Sequence, residues 1–117
     1  PPTERNAHPH LSTDESIAVV HNGIIENSNV LRKQLTALGH TFRSDTDTET
    51  IAHLVQECFD TNLEDAVIAA LRQVEGTFGI AVVSARDPEK IVAARKGSPL
   101  LIGVGEGEYF LASDASA

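Results

Sequence analysis

His21-Asn22-Gly23 closes a short apolar run, and its residue types can perform one particular piece of chemistry. An asparagine amide beside an unhindered glycine N–H is the equipment of an oxyanion hole, two donors for a carbonyl oxygen that gains charge during acyl transfer. Taken alone, Asn-Gly reads as an ordinary turn. Asp45, Asp47 and Glu49 alternate through Ser-Asp-Thr-Asp-Thr-Glu, a pattern shared by cation sites and by the Asp-x-Asp of sugar-nucleotide enzymes. A Thr46-x-x-Glu49 capping box accounts for Thr46 and Glu49 without any ligand, because the first N–H groups of a helix need acceptors. Asp47 is left over, although a carboxylate in a helix's first turn is favoured anyway by about 0.3–1 kcal/mol.

Two further constellations carry less. His8-Pro9-His10, with His21 as a third imidazole, has the residue types of a metal site, but histidines that hydrogen-bond a loop to the following strand fit the pattern better. Cys58 is the only cysteine. It falls on an apolar stripe with Ile51, Leu54 and Val55, the place of a small buried hydrophobe and not of an activated nucleophile. Gly103-Val104-Gly105-Glu106-Gly107 lacks the spacing of a dinucleotide fingerprint and reads as a hairpin turn.

These residues need elements to hold them. Residues 1–16 contain three of the five prolines and no apolar periodicity, and read as an extended segment or loop. Ile17 to Val20 read as a buried strand that ends at His21-Asn22-Gly23. Val30, Leu31, Leu35 and Leu38 share one face of a helix that Asn27 or Ser28 caps and Gly39 ends. A second helix follows Thr46, and Leu63 to Val74 continue the helical period until Gly76 stops it. The acids between residues 44 and 75 read as a solvated outer face. Beyond Gly76, Phe78–Ser84, Ile91–Arg95, Leu100–Val104 and Tyr109–Ala112 read as strands of an antiparallel meander. Helices followed by strands predict an α+β fold, with a sheet covered on one face by the helical pair.

Composition bounds the partners. The chain has 117 residues, 41% of them hydrophobic, which is the size of one domain. Nine Lys and Arg against 17 Asp and Glu give a net charge of -8, with no basic track for phosphates, so nucleic acid and anionic membranes are excluded as expected partners. No apolar run approaches the roughly 20 residues of a membrane span, and the expected location is the cytoplasm.

Taken in order, Asn6-Ala7-His8-Pro9-His10, Val19-Val20-His21-Asn22-Gly23-Ile24-Ile25-Glu26-Asn27, Ser44-Asp45-Thr46-Asp47-Thr48-Glu49 and Ile51-Ala52-His53-Leu54 resemble the class II glutamine amidotransferases. Ala94-Arg95-Lys96-Gly97-Ser98-Pro99-Leu100-Leu101-Ile102-Gly103 and Glu108-Tyr109-Phe110-Leu111-Ala112-Ser113-Asp114 narrow the resemblance to the branch that aminates fructose 6-phosphate. The amidophosphoribosyltransferase branch, the alternative, has an Arg-Asp-Pro-type segment where this chain has Arg95-Lys96-Gly97. The resemblance implies an N-terminal-nucleophile hydrolase fold, an αββα sandwich of which this chain is a part. It implies glutamine as substrate, a homo-oligomeric parent, and no metal or other cofactor. Asn22 and Gly23 match the oxyanion pair, Asp47 matches the carboxylate that holds the substrate α-ammonium, and His8 and His21 match supporting positions.

The family's nucleophile is an N-terminal cysteine, and its Thr-Arg-Trp-Ala-Thr-His-Gly segment binds the substrate carboxylate. Both are expected to lie before Pro1, and the sugar-isomerase domains after Ala117, so that residues 1–117 form a partial glutaminase domain that is inactive by itself. The rival expectation is a non-catalytic amino-acid-binding or interaction module with the same fold.

Overall fold

The apolar run that begins at Ile17 does not stop at Asn22. In the computed structural model, which describes residues 9–97 and 109–114, strand β2 runs unbroken from Ile17 to Ile25. Its antiparallel partner β3 spans Gly76–Ser84, in register from Ile17 opposite Ser84 to Ile25 opposite Gly76. Asn22 and Gly23 thus lie inside the ladder, facing Gly79 and Phe78. The expected turn is not formed, because Gly23 (φ 113°) serves a close approach of two backbones: a Cβ there would sit 2.4 Å from the Thr77 carbonyl oxygen. Gly76, expected as a helix stop, opens β3.

Three more strands complete a five-stranded sheet ordered β1-β2-β3-β4-β5. β1 (His10–Leu11) pairs antiparallel with β2, so part of the segment read as extended or loop is a short strand. β4 (Lys90–Lys96) pairs antiparallel with β3, and β5 (Tyr109–Asp114) runs parallel to β4. The predicted meander therefore fails at its last step. About a dozen residues separate β4 from β5, the length a parallel return requires. The expected strand Leu100–Val104 lies outside the described residues.

Period-two alternation divides the sheet into two faces. Ile17, Val19, Phe78, Ile80 and Val82 are fully buried beneath three helices, α1 (Ser28–Ala37), α2 (Asp47–Cys58) and α3 (Leu63–Leu71). α2 lies on β2 and between the other two helices, while α3 reaches β3 and β4. Only Leu31 and Leu35 of α1 enter the core; Val30 and Leu38, read from the sequence as their companions, are 56% and 63% exposed. Asn27 stands at the N-cap position, but its side chain spans to the strand approach, donating to the Gln73 carbonyl and accepting from the Glu75 N–H. α3 has a formed cap instead, with the Asn62 side chain accepting from the Asp65 N–H at 2.8 Å. The α+β layering is as the sequence predicts. Among the described residues no helix is long and apolar enough to cross a membrane.

Candidate functional site

α2 is buried without interruption from Thr48 to Val55, although four of those eight residues are Thr48, Glu49, Thr50 and His53. Buried polar groups must find partners, and theirs build the site. Asp47 opens the helix, where the macrodipole favours a carboxylate. Its Oδ2 accepts the backbone N–H of Ile25 at 3.1 Å, which ties the start of α2 to the end of β2. His21 projects from β2 towards the same place. Its Nδ1 lies 3.1 Å from Thr48 Oγ1 and 3.8 Å from Asp47 Oδ1. The His21 side chain is buried, whereas that of Asp47 is 31% exposed and so open to a ligand. Asn22, next along the strand, points to the opposite sheet face.

The predicted capping box does not form: the Thr46 side chain caps no N–H, and Glu49 does not serve the helix start. Glu49, 2% exposed, instead receives Arg43 N–H, Ser44 N–H, the Ser44 hydroxyl and His53 Nε2. The solvated acidic face read from the sequence is to that extent wrong, since one of its carboxylates sits in the core. From the other side, Arg32 of α1 donates to the carbonyls of Ser44 and Thr46 at 3.0 and 3.1 Å and lies 4.2 Å above the Phe42 ring.

Beyond Glu49 the network continues through two histidines. His53 Nδ1 and His40 Nδ1 both lie within 2.9 Å of the Thr13 hydroxyl, and His40 Nε2 is 2.8 Å from Glu57. Burial holds the His53 imidazole below its ordinary pKa, against the opposing pull of Glu49. Burial also works to raise the Glu49 carboxyl, but the hydrogen bonds from Ser44, His53 and Arg43 outweigh it and hold the group low. The arrangement is a neutral His53 donating Nε2–H to an ionised Glu49.

Both groups bind fewer protons folded than unfolded, so each adds stability as pH rises. The His53 contribution is complete above its unfolded value of 6.5 and is lost as pH falls below it. The Glu49 contribution is complete above 4.5 and is lost further down. Urea unfolding is expected to give stability that falls from pH 7.5 to pH 5, with the slope between pH 7 and 5 reduced in His53→Gln. A profile that rises towards acid would show that His53 is not buried neutral.

The other expected residues divide. His10 is buried on β1 with Nε2 3.1 Å from Thr46 Oγ1, so it joins this loop to α2 as a hydrogen-bonding histidine. His8 lies outside the described residues. Among those described, no three His, Cys, Asp or Glu side chains converge as a metal would need. Cys58 is half-buried and accepts from Gln73 Nε2, and burial raises its thiol pKa, the wrong direction for a nucleophile. A shallow hollow of about 270 Å³ on the sheet face away from the helices is lined by Pro9, Ala18, Val20, Ala81, Val83 and Ile91, and none of these side chains carries a polar group to orient a substrate. Sequence reasoning missed Arg32, Arg43, Thr13 and His40, none of which stands in a local motif.

One layer of helices on a five-stranded sheet is the arrangement this chain shares with a solved glutamine-using amidotransferase, and its fold is of the N-terminal-nucleophile type, in part. The chain resembles the glutamine phosphoribosylpyrophosphate amidotransferase of B. subtilis, solved with ADP and GMP, at TM-score 0.62 and 27% identity over 70% of this chain and 19% of that one. A second structure, of the allosteric regulatory enzyme of purine biosynthesis, gives TM-score 0.57 at 27% identity over 66% of this chain and 17% of that one. The family model described as the glutamine amidotransferase domain matches residues 2–117, and the chain belongs to that family.

Curated relatives are more similar still. Isomerizing glutamine–fructose-6-phosphate aminotransferases from Chlorobaculum tepidum, Methanothermobacter thermautotrophicus and Pseudomonas syringae are 54%, 56% and 57% identical over 98–99% of this chain. The chain spans only about a fifth of their length: 19%, 20% and 19%.

Proposed function

We propose that residues 1–117 belong to the glutaminase domain of a glutamine–fructose-6-phosphate aminotransferase. The parent hydrolyses glutamine and passes the ammonia to fructose 6-phosphate, yielding glutamate and glucosamine 6-phosphate. In this reading a cysteine thiolate, the nucleophile that the resemblance implies, attacks the glutamine side-chain carbonyl. The Asn22 amide and Gly23 N–H hold the resulting oxyanion, the proton that the cysteine's α-amino group took from the thiol passes to the departing nitrogen as the C–N bond breaks and ammonia leaves, and water hydrolyses the thioester to glutamate. Asp47 holds the α-ammonium, and His21, hydrogen-bonded to Thr48 beside it, supports that end. The reading extends to a cytoplasmic, homo-oligomeric parent, as the resemblance implies.

The observation that carries it is the bond between Asp47 and Ile25 N–H. The Asp47 carboxylate meets the strand at Ile25, two residues past Gly23 and about 7 Å along β2 at roughly 3.3 Å per residue, which supports the pairing of these two groups in one site. An extended glutamine spans roughly 6 Å from carbonyl oxygen to α-nitrogen by standard bond lengths, so one substrate reaches both.

The test is Asp47→Asn in the full polypeptide. Asparagine keeps an acceptor for Ile25 N–H and removes only the charge. A hydrogen bond to a charged group is worth about 1.5–3 kcal/mol, so the KM for glutamine is expected to rise roughly 10- to 100-fold with kcat little changed. An unaltered KM removes Asp47 from the substrate site.

A further inference from the structure

We propose that Arg32 and Glu49 form a clamp whose task is to position Asp47, making both of them determinants of glutamine affinity without touching the substrate. The proposal rests on the reading of Asp47 as the ammonium-binding group. Residues 43–46 lead directly into Asp47, and their backbone is held from two sides. Glu49 takes the N–H groups of Arg43 and Ser44, each at 2.7 Å. Arg32 takes the carbonyls of Ser44 and Thr46. The Thr46 carbonyl belongs to the peptide unit that begins Asp47, so the guanidinium fixes the plane from which the Asp47 side chain departs.

The four side chains close on one another. Arg32 stacks on Phe42, the Phe42 ring centroid is 4.2 Å from that of His53, and His53 donates back to Glu49. Helix capping alone does not call for this arrangement. A helix start lacks partners for its own N–H groups, whereas Glu49 reaches past the cap to residues upstream, and Arg32 binds carbonyls. The planar two-pronged guanidinium is also specific: a lysine ammonium cannot hold both carbonyls while lying flat on Phe42.

The experiment uses Arg32→Lys and Glu49→Gln in the full polypeptide, with Asp47→Asn alongside. Arg32→Lys keeps the charge and a partly buried stem, so it carries the test even if Glu49→Gln fails to fold. Each clamp variant is expected to raise the KM for glutamine roughly 5- to 20-fold, less than the ~100-fold that a 1 Å misplacement can cost, with kcat within about threefold. Two competing ligands separate positioning from general damage. The inhibition constant of L-glutamate, which carries the α-ammonium, is expected to rise in parallel, while that of glutarate, which lacks it, stays unchanged. Equal weakening of both ligands, or a lower melting temperature with unchanged KM, overturns the clamp. If Asp47→Asn itself fails to discriminate glutamate from glutarate, the ammonium reading fails first. If Asp47→Asn discriminates and the clamp variants do not, only the clamp is lost.

Discussion

Asn22→Ala in the full polypeptide is expected to lower glutamine turnover roughly 10²- to 10³-fold, the loss typical of one oxyanion donor. The donor matters only once the carbonyl oxygen has gained charge, so kcat falls while the KM for glutamine stays nearly constant. That signature is opposite to the one expected of Asp47→Asn, whose partner carries its charge throughout the reaction. Asn22 stands opposite Gly79 in the ladder and points away from the helix-covered face, so alanine leaves no large cavity in the core beneath the helices. Steady-state glutamate release settles the matter: a turnover number within twofold of the parent excludes Asn22 from transition-state stabilisation. Loss of kcat and KM in the proportions of Asp47→Asn would instead make Asn22 a binding group.

The elements and the site differ in how far they are legible in the sequence, and the difference follows the range of the forces involved. α2 is visible because Ile51, Leu54 and Val55 repeat at helical spacing, and Asp47 is visible as the acid that the helix start leaves over. The Asn22-Gly23 pair is visible as chemistry but misread as geometry, since the local preference of Asn-Gly for a turn yields to a ladder with Phe78 and Gly79, more than fifty residues away. Glu49 shows the same conflict. Its local pattern with Thr46 specifies a capping box, but Arg43, Ser44 and His53 offer the carboxylate four hydrogen bonds in the interior, and the long-range set wins. Arg32, Thr13 and His40 have no periodic or motif signal at all. They become functional candidates only when the helices bring them onto one buried network.

The largest structural effect is expected from Gly23→Ala. Two independent costs fall on this one methyl group. At φ 113° the backbone lies outside the region an L-residue tolerates, which costs of order 1–3 kcal/mol. The added Cβ would also stand 2.4 Å from Thr77 O and 2.9 Å from Phe78 Cα, both main-chain atoms of the paired strand, so no side chain can swing away to make room. Relief requires β2 and β3 to part where Phe78 is fully buried, and overpacking of that kind adds about 1–3 kcal/mol. The total, about 2–6 kcal/mol, is a large share of the ~5–15 kcal/mol of a typical domain. Gly39→Ala is the control, because Gly39 also has a positive φ, of 101°, but no atom lies within 4 Å of its added Cβ. It is expected to cost only the backbone part, about 1–3 kcal/mol. Urea midpoints of the two variants therefore measure the clash as their difference, and equal midpoints would mean that β2 and β3 do not approach as closely as the ladder requires. Since the Gly23 N–H is one of the two proposed oxyanion donors, any folded Gly23→Ala protein is expected to show reduced kcat as well, whereas Gly39→Ala retains full turnover.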